Sequence, residues 1–195
     1  MHFGINKLKM KKILTVLLIV ILGGVGFYLY QKSKEDMVLV PPTIKDGHKN
    51  TTYNIEEERV TLVNGKAETE IAPNSGSTIT TEYFGNEATG DVNGDGLKDI
   101  AFVLTQDGGG TGIFYYVVVA LNTSGVAGSA PGSYKGTNAL YLGDRIAPQI
   151  TEYRNGQFVV NYADRSEGEP FSTSPSIGVT KYIKVVGGKL VEVSS

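Results

Sequence analysis

Between Asp91 and Asp99 this chain carries oxygen donors at close, regular spacing: Asp91-Val92-Asn93-Gly94-Asp95-Gly96-Leu97-Lys98-Asp99. Asp91, Asn93 and Asp95 stand at every second position, Gly96 allows a sharp turn, Leu97 can offer a backbone carbonyl, and Asp99 adds a further carboxylate. Hard cations such as Ca²⁺ take about six to eight oxygen ligands at roughly 2.3–2.6 Å, and this spacing wraps such a set around one point. Three Asp crowded into one turn also repel one another unless a cation stands between them. The alternative is a metal-free turn, because Asn-Gly and Asp-Gly are strong turn formers unaided.

The first six positions fit the calcium-loop pattern D-x-[DN]-x-[DN]-G of the EF-hand. Its twelfth position, normally a bidentate Glu, is Phe102 here. The residues that follow, Asp99 to Gln106, are rich in β-branched and aromatic side chains and favour a strand over an exiting helix. The loop resembles the D-x-N-x-D-G-x-x-D loops of FG-GAP (integrin-type) repeats, in which a calcium loop leads into a strand. That resemblance implies Ca²⁺ bound by Asp91, Asn93, Asp95, the carbonyl of Leu97, and Asp99. It occurs once, so it implies no propeller, which needs repeated blades.

Other chemistries are thinly supplied. There is no Cys, which excludes disulfides, thiolate metal sites, a Cys nucleophile and a lipid-modified Cys anchor. The two histidines, His2 and His48, are expected outside the folded part, which argues against a His-dependent triad or zinc site there. The glycine-rich stretch 107–112 is followed by Ile113-Phe114-Tyr115 rather than by a Lys and a helix start, so it reads as a hairpin connection and not a phosphate cradle. Asp144-Arg145 and Asp164-Arg165 read as ion pairs orienting loops or as parts of a polar groove. Asp144, Asp164, Glu167 and Glu169 form a pool from which an acid–base pair for hydrolysis could be drawn, but no spacing selects two of them. No catalytic residue is therefore assigned. Tyr115, Tyr116, Tyr141, Tyr153 and Tyr162 read mostly as sheet core with polar tips, with stacking on a sugar or peptide as the alternative. Glu56-Glu57-Glu58 reads as a solvated face.

These residues need a scaffold and an address. Lys7, Lys9, Lys11 and Lys12 form a basic tail over 1–12, followed by an apolar run, 13–30. Eighteen helical residues at about 1.5 Å each span about 27 Å, close to a bilayer core. The flanking Lys keep the tail in the cytoplasm and send the rest across, with Tyr28 and Tyr30 at the far interface. The expectation is an uncleaved signal-anchor helix, with a cleaved signal peptide as the alternative. Residues 31–50 read as a polar linker containing Pro41-Pro42, and 51–195 as one extracytoplasmic domain. Residues 1–50 hold eight Lys and three acids, leaving ten basic and seventeen acidic residues in 51–195. A net charge of −7 argues against a nucleic-acid surface, which needs a basic stripe.

After residue 50 the pattern is strands and turns. Arg59 to Val63 and Lys66 to Glu70 flank Asn64-Gly65 as a hairpin with a type I′ turn. Ile79 to Phe84 is a further strand. Asp99 to Gln106 and Ile113 to Leu121 are nearly continuous apolar runs, predicting central strands covered on both faces. Tyr141-Leu142 leads to a turn at Gly143-Asp144. Ile146 to Tyr153 pairs with Gln157 to Asp164 across Arg154-Asn155-Gly156, and Gly178 to Val186 with Lys189 to Val193 across Gly187-Gly188. Residues 166–177 form a long loop, and a helix has room only within 123–139 or 166–177. The fold class predicted is mainly β, an antiparallel sandwich or partial barrel, preceded by one transmembrane helix.

Five segments, residues 60–65, 83–91, 108–110, 142–149 and 160–165, carry a wider likeness: VTLVNG, YFGNEATGD, GGG, LGDRIAPQ and VNYADR. On them the chain resembles a family of uncharacterised, membrane-anchored bacterial proteins. The resemblance implies a single domain behind a membrane segment and transfers no activity. Three functions are compatible with these readings. The first is a calcium-binding domain that binds or scaffolds an envelope protein or glycan. The others are a carboxylate-dependent envelope hydrolase, and a docking domain for another envelope protein.

Overall fold

The computed structural model describes Ile21 and residues 23–28, 45–72 and 76–194. The chain divides into two compact units, Met1–Pro41 and Pro42–Ser195. In the first, Ile21 and residues 23–28 are helical and exposed. The rest of the expected membrane helix, the basic tail and linker residues 31–44 lie outside the described residues. Among the described residues no helix is long and apolar enough to cross a membrane.

Among the described residues the second unit has twelve strands: β1 (Thr52–Ile55), β2 (Glu58–Thr61), β3 (Lys66–Glu70), β4 (Thr78–Gly90), β5 (Asp99–Asp107), β6 (Phe114–Asn122), β7 (Tyr134–Gly136), β8 (Leu140–Asp144), β9 (Ala147–Arg154), β10 (Gln157–Asp164), β11 (Ile177–Val186) and β12 (Lys189–Val193). One 3₁₀ turn, Gly47–Asn50, precedes them. The strands form a two-stranded sheet β1-β2, a six-stranded sheet β3-β4-β5-β6-β7 with β8 also beside β6, and a four-stranded sheet β12-β11-β10-β9. Every ladder between named strands is antiparallel.

Side chains alternate across a strand, and β5 and β6 use both faces. Ala101, Val103, Val117 and Val119 enter one core with Phe158, Val160, Ile183 and Leu190 of the four-stranded sheet. Phe102, Leu104, Val118 and Ala120 enter a second core with Tyr53, Ile55, Val60 and Leu62 from β1, β2 and the residue after it. The continuous apolar runs thus do what such runs predict: they make strands buried on both sides.

Asn138, between β7 and β8, links the three sheets. Its backbone forms a parallel bridge with Asn54 of β1. Its side chain donates to the Leu190 carbonyl at 3.0 Å and accepts from the Leu190 N–H at 2.8 Å, as a neighbouring strand would.

Four expectations need correction. The Asn64-Gly65 turn has φ of 52° and 84°, as a type I′ turn requires, and Val63 and Lys66 exchange two backbone hydrogen bonds across it. The hairpin stops there. β2 pairs with β1, from Thr52↔Thr61 to Ile55↔Glu58, and β3 pairs with β4. Val60 and Leu62 are buried in the second core, whereas Lys66, Glu68 and Glu70 are exposed; the two segments belong to different layers. Secondly, the strand expected over Ile79 to Phe84 runs on to Gly90, because register shifts at Gly85 (φ 120°) and Asn86 (φ 54°) bend it instead of ending it. Thirdly, the turn after Tyr141-Leu142 falls at Arg145 (φ 49°), past the end of β8. Fourthly, His48 belongs to the folded unit and is 6% exposed, so the linker ends before it. The 166–176 segment is a loop as expected, and 123–139 holds β7 and turns, with no helix among the described residues.

Candidate functional site

The 91–99 loop joins β4 to β5, and Gly94 and Gly96 take φ of 79° and 84° to let it curl. Its backbone donors turn inward. The Asp91 carboxylate accepts from Gly94 N–H (2.8 Å), Asp95 N–H (3.1 Å) and Gly96 N–H (2.9 Å). Asn93 Oδ1 accepts from Asp95 N–H, and Asp95 Oδ1 from Leu97 N–H at 2.8 Å. The Asn93 amide donates to Asp95 Oδ2 at 2.9 Å. Val92 is buried in the first core and anchors the loop from below.

Asp99 has a different role from its neighbours. It is fully buried; Oδ2 accepts from Val92 N–H at 3.0 Å and Oδ1 from Asn122 N–H at 2.9 Å. It therefore ties the loop's start to the end of β6. Burial raises its pKa above the usual carboxylate value, with smaller contributions in the same direction from Asp95 and Asp91, partly offset by the two backbone donors.

The donors are all oxygen, which suits a hard cation. A carboxylate offers about four lone-pair positions. Asp91 commits three to the loop, Asp95 two, and the Asn93 carbonyl one of its two, so each retains capacity. Among the described residues, no three His, Cys, Asp or Glu side chains form a group able to hold a metal.

At the loop's edge two sheets are clasped together. The Tyr153 hydroxyl of β9 donates to the Asp91 carbonyl, and a Cβ on Gly90 would lie 2.1 Å from Cγ of the Tyr153 ring. Gly90 is thus the residue that lets the ring lie flat on β4.

Two further groups of polar side chains come together. His48 Nε2 lies 2.6 Å from Glu87 Oε1, with the imidazole edge-on to Tyr83, Phe102 and Tyr134 at 5.6–6.2 Å between ring centres. Nothing in the sequence marks His48, because its neighbours come from β4, β5 and β7. At the other group, Arg145 makes a two-pronged contact to Asp144 at 3.0 and 2.7 Å, and its guanidinium lies 3.7 Å from the centre of the Phe171 ring. Hydrogen bonding to Arg145 holds the Asp144 pKa below the usual value. Arg165 donates to the carbonyls of Thr173 and Arg145, and Asp164 accepts from the Arg165 N–H. Only the first of the two sequence pairs is thus a side-chain ion pair; Arg165 ties the 166–176 loop, through the Thr173 carbonyl, to the Arg145 carbonyl after β8.

Of the hydrolytic pool, Asp144, Asp164 and Glu169 line one shallow hollow with Tyr141 and Phe171, while Glu167 is exposed. Of the tyrosines, Tyr116 and Tyr162 are core, Tyr115 and Tyr153 are half-buried, and Tyr141 is 50% exposed. No protein-family model, curated protein or solved structure matches this chain.

Proposed function

We propose that the β domain is a binding module, displayed outside the cell membrane by the N-terminal apolar segment and stiffened by Ca²⁺ in the 91–99 loop. The observation that carries the reading is the filled interior: β5 and β6 bury side chains on both faces, in two packed cores. Hydrolysis would need two converging carboxylates, one of them protonated near neutrality. Hydrogen bonding to Arg145 lowers the Asp144 pKa, so Asp144 is not the protonated member of such a pair. The likeness to membrane-anchored bacterial proteins belongs to the same reading, as do an envelope protein or glycan as partner and the absence of a nucleic-acid partner.

The Ca²⁺ ligands in this proposal are Asp91, Asn93, Asp95 and the Leu97 carbonyl, with Asp99 at the base of the loop. Extracellular modules of this donor type have dissociation constants of about 10⁻⁴–10⁻³ M, and a ligand at about 100-fold excess adds about 2.7 kcal/mol. The melting temperature of the full-length chain should rise by several degrees with millimolar Ca²⁺ and less with Mg²⁺, which demands a tighter octahedron. Asp95→Ala should abolish the rise, and Asp107→Ala in the neighbouring glycine loop should keep it. No calcium response up to about 10 mM would remove the metal. Topology is tested separately: protease added to intact spheroplasts should digest the domain, and full protection would reverse the orientation.

A further inference from the structure

Taking the domain to be a binder, we propose that the surface on either side of Tyr141 is a two-subsite groove for a neutral oligosaccharide. Two hollows meet at that ring. One, about 300 Å³, is lined by Glu56, Ile79, Gln106, Phe114 and Tyr116. The other, about 340 Å³, runs past Asp144, Asp164 and Glu169 to Phe171. Each is at the small end of ligand sites, and Tyr141 lines both. Larger hollows of about 550 and 620 Å³ lie along β1–β3 and β7, but their walls are mainly Thr, Asn, Lys and Arg, with the half-buried Tyr134 as their one ring.

Aromatic rings form the walls. Tyr141, Phe114 and Phe171 are 50%, 39% and 54% exposed. Tyr116↔Tyr141 and Phe114↔Asp144 are cross-strand partners on β6 and β8. The Tyr141 ring centre lies 5.4 Å from that of Tyr116 and 6.4 Å from that of Phe114. Each exposed ring forgoes burial at about 25 cal/mol per Å². A contiguous group of such rings rimmed by polar residues marks a binding surface.

The polar lining chooses the ligand. Glu56, Gln106, Asp144, Asp164 and Glu169 supply acceptors, and Arg165 is the basic side chain among the lining residues. Its Nε and Nη1 are already committed to backbone carbonyls. An anionic ligand would meet repulsion. A sugar ring presents C–H faces to the aromatic rings and hydroxyl donors to the acceptors. Those acceptors are fixed in advance: Glu56 by the Tyr116 hydroxyl, Asp144 by Ile113 N–H and Arg145, Asp164 by Arg165 N–H, and Glu169 by Ser166 N–H. Such preorganisation lowers the cost of binding. A basic peptide is the rival, because ring faces also attract cations, but Arg145 already neutralises Asp144 and lies over one face of Phe171, which leaves less for a Lys chain than for the hydroxyls of a pyranose.

The test is calorimetry and saturation-transfer NMR on the full-length chain with neutral hexasaccharides (β-1,4-linked glucose, β-1,4-linked N-acetylglucosamine and α-1,6-linked glucose), with hexalysine alongside. At least one hexasaccharide should bind saturably, with transfer from aromatic protons. Tyr141→Ala and, separately, Phe171→Ala should each weaken it about tenfold or more at unchanged melting temperature. The second variant decides the matter if the first fails to fold. Absence of sugar binding up to about 10 mM, binding of hexalysine alone, or unchanged affinity in the folded variants would overturn the groove. Reducing ends released from the sugar would overturn the non-catalytic reading instead, and melts with Ca²⁺ on the same samples report on the loop independently.

Discussion

Asp99→Ala is expected to destabilise the domain by several kcal/mol, with or without Ca²⁺. The substitution leaves the N–H groups of Val92 and Asn122 without acceptors, the first buried and the second half-buried. An orphaned buried donor costs about 1–3 kcal/mol, and a cavity is added where the carboxylate stood. A domain of this size has about 5–15 kcal/mol in total, so the urea midpoint should fall by a large fraction of its value. Asp99→Asn keeps one acceptor and turns a donor toward the other N–H, so it should fall between. Asp95→Ala, at an exposed position of the same loop, should lose the calcium response but little chelator-independent stability. If Asp99→Ala melts with the wild type in chelator, the buried carboxylate does not hold the loop to β6.

Phe102→Ala is expected to cost about 3–5 kcal/mol. The ring is fully buried and lies 5.5 Å from Tyr53, 5.6 Å from His48 and 5.4 Å from Tyr83, centre to centre. Those partners belong to the layer formed by the 3₁₀ turn and β1 and to β4. Limited proteolysis should therefore begin within residues 45–62 of the variant before the four-stranded sheet is cut. A loss below about 1 kcal/mol, outside the usual range for such a truncation, would show that this face of β5 is not a packed core.

Some of this was legible and some was not, for identifiable reasons. The apolar runs of β5 and β6 declare their two-sided burial, since neither strand leaves a polar face. Asn64-Gly65, Asn155-Gly156 and Gly187-Gly188 declare their turns, because few other residues tolerate positive φ there. The partner of β2 was hidden: a correct turn fixes a local reversal, while burial of Val60 and Leu62 decides the layer. The donors of the 91–99 loop were legible from spacing alone. The structural use of Asp99 was not, because its partner Asn122 is 23 residues away. His48 was misplaced for the same reason: its polar surroundings in sequence say nothing of the rings that enclose it. Five tyrosines look alike in sequence, and only the register of β6 with β8 leaves Tyr141 exposed.

Asn138 has a consequence for how the domain comes apart. One residue carries a backbone bridge to β1 and a paired side-chain contact to β12, while lying in the chain between β7 and β8. Separate layers with separate cores would ordinarily open as independent units under native-state hydrogen exchange. Here β1 is held by the Thr137 carbonyl and Ala139 N–H that flank Asn138, and β12 by the Asn138 side chain, so the slowest amides of β1, β10 and β12 should share one opening free energy. Asn138→Ala deletes the side-chain contact to Leu190 but keeps the backbone bridge to Asn54, so it should split that common value in two, with β12 exchanging earlier and β1 unchanged.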